Sequence, residues 1–424
     1  LSGIDAARAS AEEMLAQGRT RAAYQALVAV LVTAAPEDAG WDHALQLLVR
    51  ASEGWAAPMP LQALRLAAET PRDAHAVQGL GAALLDRANK QASLPELAAA
   101  VLGRAHALDP QDEGVLAEAV AARELLGDYS GALRLLRSAP RSASPGFLRH
   151  YLEAFACVMT GDVVAAREQA RDLVPTDDSD RFMRQRLEAM FARHEAVKDV
   201  TALDEHDLRG WHFVLSGSLL LHLAPDGEST TGTGVGGRYA HLKDGPALQL
   251  EVLQRLETVL AALDRDGMRV WSMDQHESRV LGRAAALRSG MASQPTLTTS
   301  EPGLILAYDF EAMIPDVRAH YRSHRPNQIA FAHSLHFRRE QRFVPDLVGS
   351  LYATREGPWD PSERDEAALA ERIVDASMRD GALDDLGDLV ELAVVAEASG
   401  VLAALSEAGP REPFWIGGPV ALPS

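Results

Sequence analysis

The sequence predicts a two-part chain: an array of α-helical hairpins, then a three-layer α/β domain with a mainly parallel sheet and an acidic helical tail. Three observations predict it. From residue 4 to about 197, apolar residues recur at helical three- and four-residue intervals, with Pro, Gly or Asp punctuating every 15 to 20 residues. Within that stretch Gly127-Asp128-Tyr129 followed by Ala132 returns, 34 residues on, as Gly161-Asp162-Val163 followed by Ala166. Beyond about residue 200, short apolar runs alternate with helical stretches, the grammar of βαβ units. The expected division is 1–198 for the helical repeats and 199–424 for the α/β domain with its tail.

Taken in order, 22–35, 41–51 and 61–68 read as helices out of register with the repeat. Moving back 34 residues from Ala132 gives Ala98, followed by Leu102, Ala105 and Pro110. A methyl group at Ala98, Ala132 and Ala166 lets two antiparallel helices approach closely, and glycine permits the turn between them. On these residues the stretch 77–175 resembles the tetratricopeptide repeat (TPR) family, a helix-turn-helix unit of this length with Gly at the turn, small residues at the crossing and a closing Pro. Ser93 stands where the first repeat would have its Gly, and Ala170 where the third would have a large apolar residue. The resemblance implies a concave surface for a protein partner. Where many such repeats grip an acidic C-terminus with Lys and Asn, this chain has Ala83 and Arg87, Ala117 and Ala121, then Tyr151 and Phe155. An apolar or aromatic contact surface including Arg87, Tyr151 and Phe155 is therefore expected, with packing between repeats as the competing role for the two aromatics. After Pro175, Thr176-Asp177-Asp178-Ser179-Asp180 is an N-cap signal for a closing helix over 181–197.

In the second part, 211–223, 269–273, 304–308 and 328–332 read as strands, and 247–263, 277–289 and 310–324 as helices. The tail 362–407 reads as helix, with 414–416 as a docking segment. Ligands of open parallel sheets sit beyond the carboxyl ends of the strands. The candidate catalytic residues are therefore Asp226, Asp274, Asp309 and His333, each following an expected strand. Gly232, Gly234 and Gly237 formally spell GxGxxG, but 238–246 separates them from the helix whose N-terminus should meet a pyrophosphate. The same loop, Asp226 to Thr233, resembles the phosphate loop of type I phosphoribosyltransferases. That resemblance implies a phosphate held by Thr230, Thr231, Gly232 and Thr233, with Asp226 and Glu228 toward ribose and metal; Gly227 between the two acids departs from the pattern. A polar connecting loop is the competing reading.

Residues 318–342 hold six arginines, four histidines and one acidic residue, Glu340, in a chain of net charge −19. Arg238, Arg322 and Arg325 are candidate ligand contacts, since guanidinium matches phosphate and carboxylate in two-point fashion. The arginines of 318–342 are equally expected to anchor the chain's own acidic tail. His320 and His324, four apart on an expected helix, are candidate metal ligands, although HExxH and a Cys partner are lacking and no metal is expected. No GxSxG nucleophile motif occurs.

Composition narrows the classes. With 41 basic against 60 acidic residues, a protein that coats nucleic acid is not expected. Residues 357–424 carry 14 Asp and Glu against 4 Arg, more than half of the charge excess. The three lysines against 38 arginines read as GC-rich codon usage. The lone Cys157 excludes an intramolecular disulfide. No apolar stretch reaches the roughly 18 residues of a membrane span, and Glu12 and Glu13 near the start are unlike a secretory signal, so a cytoplasmic protein is expected. No cofactor is identified. The expected role is an intracellular adaptor or scaffold with an α/β ligand-binding domain that takes a small anion. The alternative is an enzyme for a phosphorylated or nucleotide-like substrate, phosphoribosyltransferase-like or a hydrolase, at the carboxyl edge of the sheet.

Overall fold

The computed structural model describes residues 3–55, 60–88, 94–140, 146–225, 237–310, 313–338, 343–360, 362–406, 408–415 and 417–420. It divides into two units, Leu1–Asp180 and Arg181–Ser424. Among the described residues, every element wholly within the first unit is a helix: α1 (Gly3–Ala16), α2 (Thr20–Thr33), α3 (Trp41–Trp55), α4 (Leu61–Glu69), α5 (Ala74–Ala88), α6 (Pro95–Leu108), α7 (Glu113–Leu125), α8 (Tyr129–Ser138), α9 (Phe147–Met159) and α10 (Val163–Ala170). The sequence period is present in the geometry. Helices α7 and α9 begin and end 34 residues apart, as do the starts of α6, α8 and α10. Asp128 caps α8 by accepting from the Gly131 amide, and Asp162 caps α10 by accepting from the Ala165 amide. Gly127 (φ 71°) and Gly161 (φ 84°) take the left-handed conformation that each turn requires and that a side chain would strain. Ala98, Ala132 and Ala166 are fully buried, as close helix crossing demands.

Helix α11 (Asp178–Val197) does not close the first unit as expected; the division falls at 180/181 instead of near 198. The cause is chemical. Arg193 is buried and donates to the carbonyls of Val214 and Leu215, while Arg186 pairs with Glu412 at 2.9 Å, so the body of α11 is bonded into the second unit.

The second unit is built on strands β1 (Leu219–Leu220), β2 (Arg238–Lys243), β3 (Val270–Met273), β4 (Ser293–Thr296), β5 (Gly303–Ala307), β6 (Gln328–His336) and β7 (Leu347–Glu356). Their order is β1-β7-β6-β5-β3-β4, with β2 also on β7, and every pairing is parallel. Because Leu219 pairs with Leu347 and Arg238 with Leu351, β1 and β2 are two pieces of one edge strand interrupted by 221–237. The remaining helices are α12 (Leu208–Ser216), α13 (Pro246–Ala262), α14 (His276–Ser289), α15 (Pro315–His320), α16 (Glu366–Val374) and α17 (Leu386–Ala398), with a 3-10 turn at Ala403–Leu405. On one face of the sheet, Trp271, Ile305 and Ala330 pack with Val317 and Tyr321 of the α15 segment. On the other, Gly282 of α14 meets Ser272, and Val252 of α13 lies over Gly349.

Several expectations need correction. The run 211–223 is not a strand: Asp207 caps α12 by accepting from the Gly210 amide, Gly217 (φ 75°) ends it, and only then does β1 begin. The edge strand is therefore in two pieces, β1 and β2, and the strand-to-helix junction is Lys243-Asp244-Gly245-Pro246. Strand β6 continues to His336, so His333 and His336 lie within it. Strands β2, β4 and β7 were not expected, although β7 joins the edge to the sheet interior. Among the described residues no helix is long and apolar enough to cross a membrane.

Candidate functional site

The carboxyl ends of β2, β5, β6 and β7 meet in one buried polar cluster, built around Asp244. Its position follows from the junction: a carboxylate between the last strand residue and Gly245, ahead of a helix opened by Pro246. One oxygen, Oδ1, accepts from the Gly245 amide at 2.8 Å. The other, Oδ2, accepts from Tyr308 Oη at 2.6 Å and Gln249 Nε2 at 3.2 Å, and lies 3.0 Å from His333 Nε2. The Tyr308 and His333 rings stack with centroids 5.2 Å apart. Arg355 of β7 lies over the faces of Tyr308 and Tyr352, at 4.6 and 4.7 Å. Its Nη1 donates to Ser334 Oγ at 2.6 Å and stands 3.3 Å from Asp309 Oδ2, which also accepts from Tyr352 Oη at 2.8 Å.

Burial alone would raise the pKa of Asp244, but the charge of His333 and the hydrogen bonds of His333, Tyr308 and Gln249 outweigh it and hold the carboxyl below its usual range. Burial, then the charge of Asp244, pushes the Tyr308 phenol well above its usual range. Burial opposes the Arg355 charge, yet Tyr308, Tyr352 and Asp309 raise its pKa above the ordinary value. With Nε2 held by Asp244, His333 can hold or move a proton at Nδ1, which among the described residues is buried without a hydrogen-bond partner.

Of the expected catalytic residues, Asp309 and His333 are thus brought together. Asp274 is not with them: it follows β3 but is half-exposed and paired with Arg279 at 2.6 Å. Asp226, Thr230, Thr231, Gly232 and Thr233 lie outside the described residues. Arg238 opens β2 instead of following it, and is buried with Nη2 3.3 Å from the Val420 carbonyl. Arg322 is exposed, and Arg325 donates to Ser300 Oγ at 2.6 Å and lies 3.2 Å from His320 Nδ1, away from the cluster. Because α15 stops at His320, His324 is not on that helix. His320 Nε2 meets the Thr299 carbonyl and His324 meets Asp346, so the two imidazoles serve different partners.

Among the described residues, the ion pairs of the acidic tail are made by arginines outside 318–342. Arg209 and Arg255 take Asp385, Arg279 takes Glu366 and Arg186 takes Glu412. In the first unit Tyr151 and Phe155 are buried and stacked at 5.9 Å, Phe155 meeting Tyr129 edge-on at 6.0 Å. They pack α9 against α8 and present no open surface; the side chain of Arg87 lies outside the described residues. Asp244, Tyr308, Tyr352 and Arg355 were missed by sequence reasoning. Only Asp244 had a local signal, the Asp-Gly-Pro entry to an amphipathic helix. No protein-family model, curated protein or solved structure matches the chain, so this geometry is argued on its own chemistry.

Proposed function

We propose that this chain is an interaction protein, an adaptor or scaffold, whose TPR-like hairpins dock a protein partner while the α/β unit carries a ligand site. The observation that carries the reading is the 34-residue spacing of α7/α8 and α9/α10, with cap, turn and crossing residues in the same places in both. Stacked hairpins of one length bury a continuous core and leave an extended face, the surface on which such arrays bind. Within this reading Ala121 of α7 is the informative position: it is exposed, and it is the equivalent, one repeat earlier, of the buried Phe155. Ala121→Arg in the full chain should cut recovery of a co-purifying partner about tenfold with an unchanged melting temperature, the behaviour of a bulky charge placed in an interface. Unchanged recovery would remove α7 from the partner surface and the reading with it.

A second reading, an enzyme for a phosphorylated or nucleotide-like substrate, is favoured by one observation. Acid, imidazole and guanidinium groups from four strands converge where α/β sheets bind ligands.

A further inference from the structure

The second unit carries two charged faces of opposite sign that its own fold leaves unpaired. The basic face lies around the end of α15. Among the described residues, Arg318 in the last turn and Arg322 in the turn that follows make no ion pair, and Arg318 Nε is buried without a hydrogen-bond partner. Arg325 meets the Ser300 hydroxyl and His320 but no carboxylate. Of the acidic residues nearby, Asp316 stands in the first turn of α15, away from these guanidiniums in sequence, and Glu301 lies 3.9 Å from Arg269. Ile314, just ahead of the helix, is 60% exposed. The acidic face is α17 with the segment that leads into it. Asp380, Asp384, Asp388 and Glu391 are exposed, and none makes an ion pair among the described residues. Asp388, Glu391 and the 41% exposed Val394 follow one another at three-residue spacing, on the side of α17 turned away from the buried Leu389, Leu392 and Ala396.

We infer that the basic face of one copy of this chain docks the acidic face of a second copy, Arg318 and Arg322 meeting Asp388 and Glu391 while Ile314 and Val394 supply apolar contact. Charge complementarity selects this occupant. Sequence alone pairs the arginines of 318–342 with the chain's own acidic tail, yet within one chain the ion pairs of that tail go to Arg186, Arg209, Arg255 and Arg279. The same complementarity is open between copies, and guanidinium on carboxylate is its strongest form. A net charge of −19 on each copy opposes association at long range, but at physiological ionic strength repulsion fades beyond about 8 Å, so the facing groups decide. Each chain offers one face of each sign, which makes the contact heterologous: copies add head to tail instead of stopping at a two-fold dimer. Exposed ion pairs contribute little apiece, so the association is weak and sensitive to salt. Neither the hairpins nor the Asp244 cluster takes part, so this contact can fail without either of them.

The test is sedimentation velocity of the full chain at up to about 100 μM, in about 50 and about 500 mM NaCl. In the lower salt the average mass should rise with concentration, and the association constant should fall at least about tenfold in the higher salt, where the charges are screened. Arg322→Glu and Asp388→Arg should each give a monomer with the native melting temperature, since both positions are exposed. Mixed in equal amounts, the two variants should form a dimer and nothing larger, because the intact basic face of one meets the intact acidic face of the other. If either variant melts below the native chain, Arg322→Gln or Glu391→Arg takes its place. A native chain that stays monomeric in low salt, association that either variant leaves unchanged, or variants that stay monomeric when mixed would overturn the inference. So would a monomer that binds poly-glutamate through Arg322, which would assign the basic face to a different acidic partner.

Discussion

His212 should make the second unit acid-sensitive well above the pH at which carboxylates protonate. Full burial, reinforced by the charge of Arg238, lowers its pKa from 6.5 to about 4. The folded state therefore resists a proton that the unfolded chain accepts at about 6.5. The associated stability is complete above that pH, falls as pH drops toward about 4, and falls no further on this account. At about 1.36 kcal/mol per pH unit, the loss between pH 7.5 and 4.5 is about 2.5 kcal/mol, against a total of about 5–15 kcal/mol for a domain. Carboxylates act lower. Glu251, which burial would raise but which His222 and Arg379 hold at about 2, loses its contribution only as pH falls below its unfolded value of 4.5. His222 and His106, both lowered chiefly by burial, add losses of the same sign as pH falls below 6.5. The informative quantity is thus the difference between the native chain and His212→Asn. Urea titrations read by pulsed hydrogen exchange of the peptide 208–216 let α12 report its own unit, since a chain of two units need not unfold in one step. The native chain should lose about 2.5 kcal/mol more than His212→Asn between pH 7.5 and 4.5. Parallel curves would refute the assignment of a buried, neutral imidazole.

Two further outcomes test the sheet edge. A Cβ at Gly349 would lie 2.2 Å from the His333 carbonyl oxygen and 2.9 Å from Val252 Cγ1, and backbone cannot swing aside as a side chain can. Gly349→Ala should cost about 1–3 kcal/mol by urea unfolding, and a stability within 0.5 kcal/mol of native, roughly the scatter of a neutral substitution, would show that β6 and β7 are not so tightly apposed. If the cluster receives a phosphorylated or nucleotide-like ligand, inorganic phosphate or AMP at a hundredfold excess over its dissociation constant should stabilise the chain by about 2.7 kcal/mol. Arg355→Gln should abolish that gain, and a native melting temperature unmoved by either compound counts against the enzyme reading.

The hairpins were legible because a repeat array writes its packing locally. Gly127, Asp128 and Ala132 each satisfy a need met within one hairpin, and the same needs return at Gly161, Asp162 and Ala166. The α/β layout was legible for a similar reason, since β3, β5 and β6 are short apolar runs between helices. Where a run is apolar throughout, periodicity cannot choose: 211–223 contains α12, a left-handed Gly217 and β1, and reading it as one strand moved the strand-to-helix junction away from Asp244. The site obeys different rules. Asp309 and His333 were reached because proximity to the end of a strand is a topological property that survives an error of several residues in the strand itself. Arg355 belongs to β7, whose apolar pattern is broken by Gly349 and Ser350, so neither the strand nor its contribution to the edge was visible. The Asp244–His333 contact spans 89 residues and joins strands that are not neighbours in the sheet, with β7 between them. Local pattern records which residues are buried, but only the strand order decides which buried acid meets which buried base.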